Sequence, residues 1–124
     1  MPLLLDTHVF VWLAWGDRRV SHAAIEAISV PGERIYLSVV SHWELQIKGM
    51  RSDFDLGAPF DVTFARSAFL PLALDFDVPR RLDALPKIHK DPFDRILIAQ
   101  ALAMRLTLVT RDAAIRRYPV PTLW

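Results

Sequence analysis

A chain of 124 residues with 52% hydrophobic side chains and a net charge of +1 suits one domain, residues 1–124, burying about two-thirds of its unfolded surface. The lack of cysteine excludes disulfides and thiolate metal sites. No stretch reaches the roughly 18 apolar residues of a membrane helix, and the first apolar run lacks the length and basic flank of a signal peptide. A cytoplasmic protein is expected.

Leu3–Leu5 reads as a short buried strand, and Thr7 to Trp15 as an apolar helix that Gly16 can end. Ser21 can cap a second helix over His22–Ser29, which Pro31-Gly32 stops. Ile35–Val40 is β-branched and continuous, the pattern of a strand buried on both faces. Ser41 to Lys48 reads as helix, Arg51–Gly57 as loop, and Pro59 to Phe69 as a further helix. Leu72–Leu74 is a candidate third strand, and Pro79–Leu85 a short helix. Pro92–Arg105 is the longest helix, followed by a strand at Thr107–Thr110, a short helix at Asp112–Arg117 and an edge strand at Thr122–Trp124. Strands alternating with helices predict an α/β fold, a three-layer α/β/α sandwich around a mainly parallel sheet. The mean hydropathy of +0.23 fits a sheet covered on both faces and a surface that expects a protein partner.

Four acids stand where strand gives way to helix: Asp6, Glu44, Asp94 and Asp112. Each has a plain explanation. Asp6 and Asp112 can cap the helices they precede, Ser41-His42-Trp43-Glu44 spells a capping box, and Asp91-Pro92-Phe93-Asp94 puts Asp91 at N-cap and Asp94 at N3. Uncharged residues cap as well, however, so four acids at the carboxyl edge of one sheet exceed what capping requires. Ligands gather at that edge, and four carboxylates there repel one another unless a cation neutralises them. Mg²⁺ or Mn²⁺, one or two ions, suits such oxygen donors, and the usual chemistry is phosphoryl transfer. Asp94 is assigned to metal and Asp91 mainly to capping, with a supporting role beside the site.

Thr7 and Thr110 adjoin rim acids, where a hydroxyl can orient water or substrate or simply bond a strand end. His8 can touch phosphate or serve as a structural histidine, and His42 is read the same way. His89 reads as part of a solvated basic loop. Arg95 and Arg111 neighbour Asp94 and Asp112, and each can pair with a carboxylate or reach substrate phosphate. Arg80, Arg81, Lys87 and Lys90 form either a basic rim for a nucleic-acid backbone or a solvated face. Phe10, Trp12, Trp15 and Trp43 can stack bases, but core or a protein-binding surface is favoured. Asp53, Asp55, Asp75 and Asp77 read as solvated or capping acids. No His-x-x-x-His spacing supports zinc. Of the 15 cations, only Lys48, Lys87 and Lys90 are lysines; the rest are arginines, which suit bidentate phosphate contacts.

Leu4-Leu5-Asp6-Thr7-His8, Ser41 to Lys48, the run His89 to Ala101 with its Asp91-Pro92-Phe93-Asp94-Arg95 core, and Leu108 to Asp112 resemble the PIN-domain ribonucleases, most closely the VapC toxins of bacterial toxin–antitoxin pairs. The resemblance spans essentially the whole chain. It implies an acidic pocket of Asp6, Glu44, Asp94 and Asp112 that binds Mg²⁺ or Mn²⁺ and cuts RNA. It implies a VapB-like antitoxin that wraps the toxin and blocks the pocket with an arginine. It also implies a homodimer or toxin–antitoxin hetero-oligomer that meets promoter DNA through the antitoxin. Gly49 to Phe54 departs from the Gly-Lys-Leu-like turn often found after the second motif.

The expected activity is endoribonuclease cleavage by cation-activated water. Two alternatives stand beside it: a receiver-like phospho-accepting signalling domain, and a catalytically silent binding module of the same fold. A receiver needs an acidic pair after the first strand and a late lysine, whereas Asp6 is followed by Thr7-His8 and the late strand by Arg111-Asp112. A phosphatase of the Asp-x-Asp type fails because residue 8 is histidine.

Overall fold

Three consecutive leucines, all fully buried, form the central strand of the sheet. Alternating side chains of a strand point to opposite faces. Leu3 and Leu5 therefore enter one core and Leu4 the other. The structure is a computed structural model describing residues 1–124. In chain order it comprises β1 (Leu3–Leu5), α1 (Thr7–Trp15), α2 (His22–Ile28), β2 (Ile35–Ser38), α3 (Val39–Lys48), α4 (Phe60–Arg66), β3 (Leu70–Leu72), α5 (Val78–Leu82), α6 (Pro92–Met104), β4 (Thr107–Val109) and β5 (Thr122–Leu123). Short 3₁₀ turns lie at Ser52–Phe54 and Ile115–Arg117.

The strands pair in the order β3-β2-β1-β4-β5, all parallel. Leu4 and Leu108 pack under α6 and α5 with Leu97, Ile98, Ala101, Ile115 and Tyr118. Leu3, Leu5, Ile35, Leu37 and Val109 pack on the other face against Val9, Phe10 and Val11 of α1 and Ala24 of α2, with Phe60 and Phe64 of α4 alongside. Each fully buried aliphatic side chain contributes about 1.5–3 kcal/mol of transfer free energy. The result is the expected three-layer sandwich. Its strand order differs from the 2-1-3-4-5 order of receiver-like doubly wound sheets, so the signalling alternative loses its architecture.

The direction in which successive strands are added reverses between β1 and β4, the place where a parallel sheet leaves a crevice at its carboxyl edge. In-register pairing of Leu5 with Val109 brings Asp6 and Thr110 together at that crevice.

Four elements differ from expectation. The short helix expected at Asp112–Arg117 is a 3₁₀ turn at Ile115–Arg117, and the helix expected over Pro59 to Phe69 spans Phe60–Arg66. The helix expected from Ser41 begins at Val39, capped by Ser38, whose hydroxyl accepts from the Val40 N–H at 3.0 Å. Ser38 also donates to buried Gln100 of α6, which ties the end of β2 to the helix on its far side. The third strand runs Leu70–Leu72 rather than Leu72–Leu74, with Pro71 inside it. Proline is tolerated there because β3 is an edge strand.

Candidate active site

Asp6 is the N-cap of α1: its Oδ1 accepts from the His8 N–H at 3.4 Å, while Oδ2 accepts from the Thr110 hydroxyl at 2.7 Å. The Thr110 oxygen in turn accepts from the Asp112 N–H at 3.0 Å. Asp112 caps the turn after β4 through Oδ1, which accepts from Ala114 and Ile115 N–H at 2.7 and 3.0 Å, leaving Oδ2 to face inward. Capping and site-building therefore use different oxygens of the same side chains.

Because α3 starts at Val39, Glu44 lies in the middle of the helix and there is no capping box. Nothing local accounts for a buried acid there. Glu44 is 2% exposed; its Oε2 accepts from Lys48 Nζ at 2.8 Å, one helical turn on, and its Oε1 is buried without any partner. Lys48 also reaches Asp91 Oδ2 at 3.1 Å. Burial alone would lower the Lys48 pKa, but the bonds to Glu44 and Asp91 outweigh it and hold the ammonium charged. Asp91 caps α6 through Oδ1, which accepts from the Phe93 N–H at 2.9 Å, as its position before Pro92 requires.

Asp94, at N3 of α6, faces the other acids. Burial first, then the nearby charges of Asp6, Asp91, Glu44 and Asp112, push its carboxyl up to about 9. Burial also raises Asp6, against the opposing Thr110 hydrogen bond. Asp112 goes the other way: burial would raise it, but N–H groups of Ile115 and Ala114 and the ring of His89 hold it below the usual carboxylate range. Four acids from four separate parts of the chain thus share one electrostatic environment, together with Asp91.

This donor set fits a hard divalent cation. The buried, unpartnered Glu44 Oε1 and a carboxyl raised by three or more like neighbours both mark unmet negative charge, which an oxygen-seeking ion relieves.

The neighbouring candidates divide. Thr110 orients Asp6. The buried Thr7 hydroxyl instead donates to Ser41 Oγ at 2.8 Å, clamping α1 to α3. His8 lies 3.7 Å from Asp53 and packs against Phe54 and Trp12. Arg111 lies 5.9 Å over the Trp12 ring and pairs with no acid. Asp6, His8, Trp12, Arg111 and Asp112 line an open cleft of about 310 Å³. Arg95 does neither thing expected of it. One residue past Asp94, it points round the helix to Leu82 O, Pro86 O and the Tyr118 hydroxyl at 3.0, 2.8 and 3.1 Å. Arg80 pairs with Asp77 on the surface. Phe10 is core and Trp12 nearly so, while Trp15 is partly exposed and donates to Asp55 O.

Two site-facing residues escaped the sequence reading. Lys48 carried a signal in its i,i+4 spacing from Glu44. His89, read as solvated, has a side chain only 16% exposed, with Nε2 at 3.0 Å from Asp94 Oδ2 and 3.1 Å from Asp112 Oδ2. Its one signal was its place two residues before an N-cap.

Residues 3–121 match the family profile described as PIN domain. Over 128 aligned residues the chain is 30% identical to ribonuclease VapC22 of Mycobacterium tuberculosis, with 98% of each covered. Among solved structures, it resembles VapBC2 from Rickettsia felis bound to a DNA fragment from their promoter, with TM-score 0.74, 16% identity and coverage of 99% and 98%. It also resembles a toxin–antitoxin complex from Klebsiella pneumoniae, with TM-score 0.67, 22% identity and coverage of 98% and 96%. At those identities the structural likeness speaks to the fold.

Proposed function

Because this chain belongs to the PIN-domain family, in its VapC-type branch, we propose that it is a Mg²⁺- or Mn²⁺-dependent endoribonuclease and the toxin of a toxin–antitoxin pair. The observation carrying this reading is the convergence of Asp6, Glu44, Asp94 and Asp112, with Glu44 Oε1 buried and unpartnered.

Those four acids would hold one or two ions. A divalent cation bound there supplies an acidified water and charge neutralisation for phosphodiester hydrolysis. The chain's own residues prepare that site. Thr110 fixes one Asp6 oxygen, backbone N–H groups fix one Asp112 oxygen, and Lys48 holds one Glu44 oxygen while leaving the other free. Arg111, free of any acid, offers its guanidinium at the mouth of the cleft, where an RNA phosphate would enter beside Asp6 and Asp112.

A VapB-like antitoxin is the proposed partner, as homodimeric toxin or toxin–antitoxin hetero-oligomer, with promoter DNA met through the antitoxin in the cytoplasm. Val39, Trp43 and Ile47, each about half exposed, form one apolar stripe along α3 at the spacing of successive turns, a surface that suits a protein partner. No helix is long and apolar enough to cross a membrane.

The test is cleavage of a structured RNA pool with Mg²⁺, Mn²⁺ or chelator. Wild type should cut only with metal, leaving 5′-phosphate and 3′-hydroxyl ends, and Asp6→Asn should be inert while remaining folded. Cyclic phosphate ends, or equal cutting by Asp6→Asn, would overturn the mechanism. A wild type inert under every condition would favour the silent binding module.

A further inference from the structure

His89 stands between two acids that come from different elements, Asp94 on α6 and Asp112 after β4. Its Nε2 and the two Oδ2 atoms lie within 4.8 Å of one another, a spacing that suits a metal with imidazole among its ligands. The other edge of the ring argues against ligation. Nδ1 accepts a hydrogen bond from the backbone N–H of Asp91 at 3.1 Å. An N–H can point only at a ring nitrogen with a free lone pair, so the ring proton of the neutral imidazole is on Nε2, aimed at the carboxylates. A protonated nitrogen has no pair to give an ion. Ligation would need the proton moved to Nδ1, where it would oppose the Asp91 N–H inside a structured loop.

That loop is fixed from behind. The Tyr118 hydroxyl accepts from the Ile88 and His89 N–H groups at 3.2 and 2.8 Å, and Arg95 bonds the same hydroxyl at 3.1 Å. Arg95, turned away from the acids, thus helps hold the ring that faces them.

We infer that His89 is a positioning residue: with its tautomer set by the Asp91 amide, it donates Nε2–H to Asp112 Oδ2, lies 3.0 Å from Asp94 Oδ2, and holds these two acids side by side without itself binding the ion. The inference rests on the metal-site reading above. It also makes the His89-Lys90-Asp91 segment a single device, in which the residue that caps α6 also orients the ring. Donors behind metal-binding carboxylates fix their direction, and losing one typically weakens metal binding by roughly 10–100-fold.

Mn²⁺ alone is a sufficient probe, titrated into the full chain and followed by the loss of its free-ion EPR signal. Wild type should bind it, and pulsed EPR of the bound ion should show no ¹⁴N modulation from imidazole. His89→Leu should bind roughly 10–100-fold more weakly, and His89→Gln, whose side-chain amide offers an N–H in the same place, should recover most of the loss. In ¹⁵N-histidine NMR, Nε2 should carry the proton both without metal and with Mg²⁺. A ¹⁴N modulation that disappears in His89→Leu would make His89 a ligand and overturn the inference. So would unchanged Mn²⁺ affinity in His89→Leu. Wild type that binds no Mn²⁺, or Asp6→Asn that binds it equally well, would instead remove the metal site itself, and the inference with it.

Discussion

Loading the site with a divalent cation should expel a proton at neutral pH. In the metal-free protein, burial and the charges of Asp6, Asp91, Glu44 and Asp112 push the Asp94 carboxyl up to about 9. At pH 7, two units lower, that carboxyl keeps its proton by about a hundred to one. These acids interact, so the proton belongs to the cluster rather than to Asp94 alone. Carboxylates bind metal ionised, so binding Mg²⁺ at pH 7 should release about one proton, and roughly half as many at pH 9. Below pH 9 the apparent affinity should therefore rise about tenfold per pH unit. The metal-free fold carries the complementary sign. The folded acid holds a proton that the unfolded chain, ionising at 3.8, has lost. Stability without metal should be greatest below about pH 4 from this group and fall as pH rises toward 9, while the stabilisation given by metal grows over the same range. Calorimetric titration in buffers of equal pH but unlike ionisation enthalpy counts the protons, and thermal melts in chelator from pH 5 to 9 read the stability. Tight binding with no proton released at pH 7 would refute the reasoning, because the acids would then tolerate full ionisation together.

Lys48→Met should cost the metal-free protein about 2–4 kcal/mol, at the lower end of what breaking a buried ion pair costs because the ammonium is partly exposed; saturating Mn²⁺ should restore part of it. Urea unfolding with and without metal measures this, and a metal-free loss below about 0.5 kcal/mol would show that Glu44 and Asp91 do not need the ammonium. Arg95→Ala and Arg111→Ala should separate cleanly. The first, which removes bonds to two carbonyls and a hydroxyl, should lower stability by about 1–3 kcal/mol without changing the salt dependence of RNA binding. The second should leave stability nearly unchanged and reduce that salt slope by about one phosphate contact. Equal salt slopes for both variants would remove Arg111 from the RNA path.

The sheet and three of the four acid positions were legible because their signals are local. Leu3–Leu5 and Thr107–Val109 are short apolar runs ending in Asp6 and near Asp112, and Asp91-Pro92 announces a helix start that puts Asp94 in its first turn. Glu44 was picked out on a mistaken local premise. Val39 and Val40 are β-branched, so periodicity extended the strand through them, whereas the Ser38 hydroxyl caps a helix that already contains both. Moving the N-cap three residues back, from Ser41 to Ser38, removes the capping explanation for Glu44 and leaves a buried acid in mid-helix, which strengthens the case for a role in binding. The third strand also lies two residues earlier than expected, at Leu70–Leu72 with Pro71 inside it. The proline's missing N–H does no harm on an edge whose neighbour β2 lies on one side only.

Lys48 and His89 were hard to read because one partner of each, Asp91 and Asp112, lies 43 and 23 residues away along the chain, and only the closed fold brings them together. Their contribution is to rank the acids. Backbone N–H groups and the His89 ring keep Asp112 ionised, Lys48 meets one oxygen of Glu44 and one of Asp91, and the Thr110 hydroxyl meets one oxygen of Asp6. Asp94 has the His89 ring 3.0 Å away but no cation, and burial among four acidic neighbours pushes its carboxyl up to about 9. A fold that assigned each carboxylate its own strong partner would have no charge left to bind an ion. One that assigned none could not bury them. On the proposed reading, a proton held among the raised acids and one unpartnered Glu44 oxygen let the protein fold without metal and still accept an ion, which would take the place of the proton.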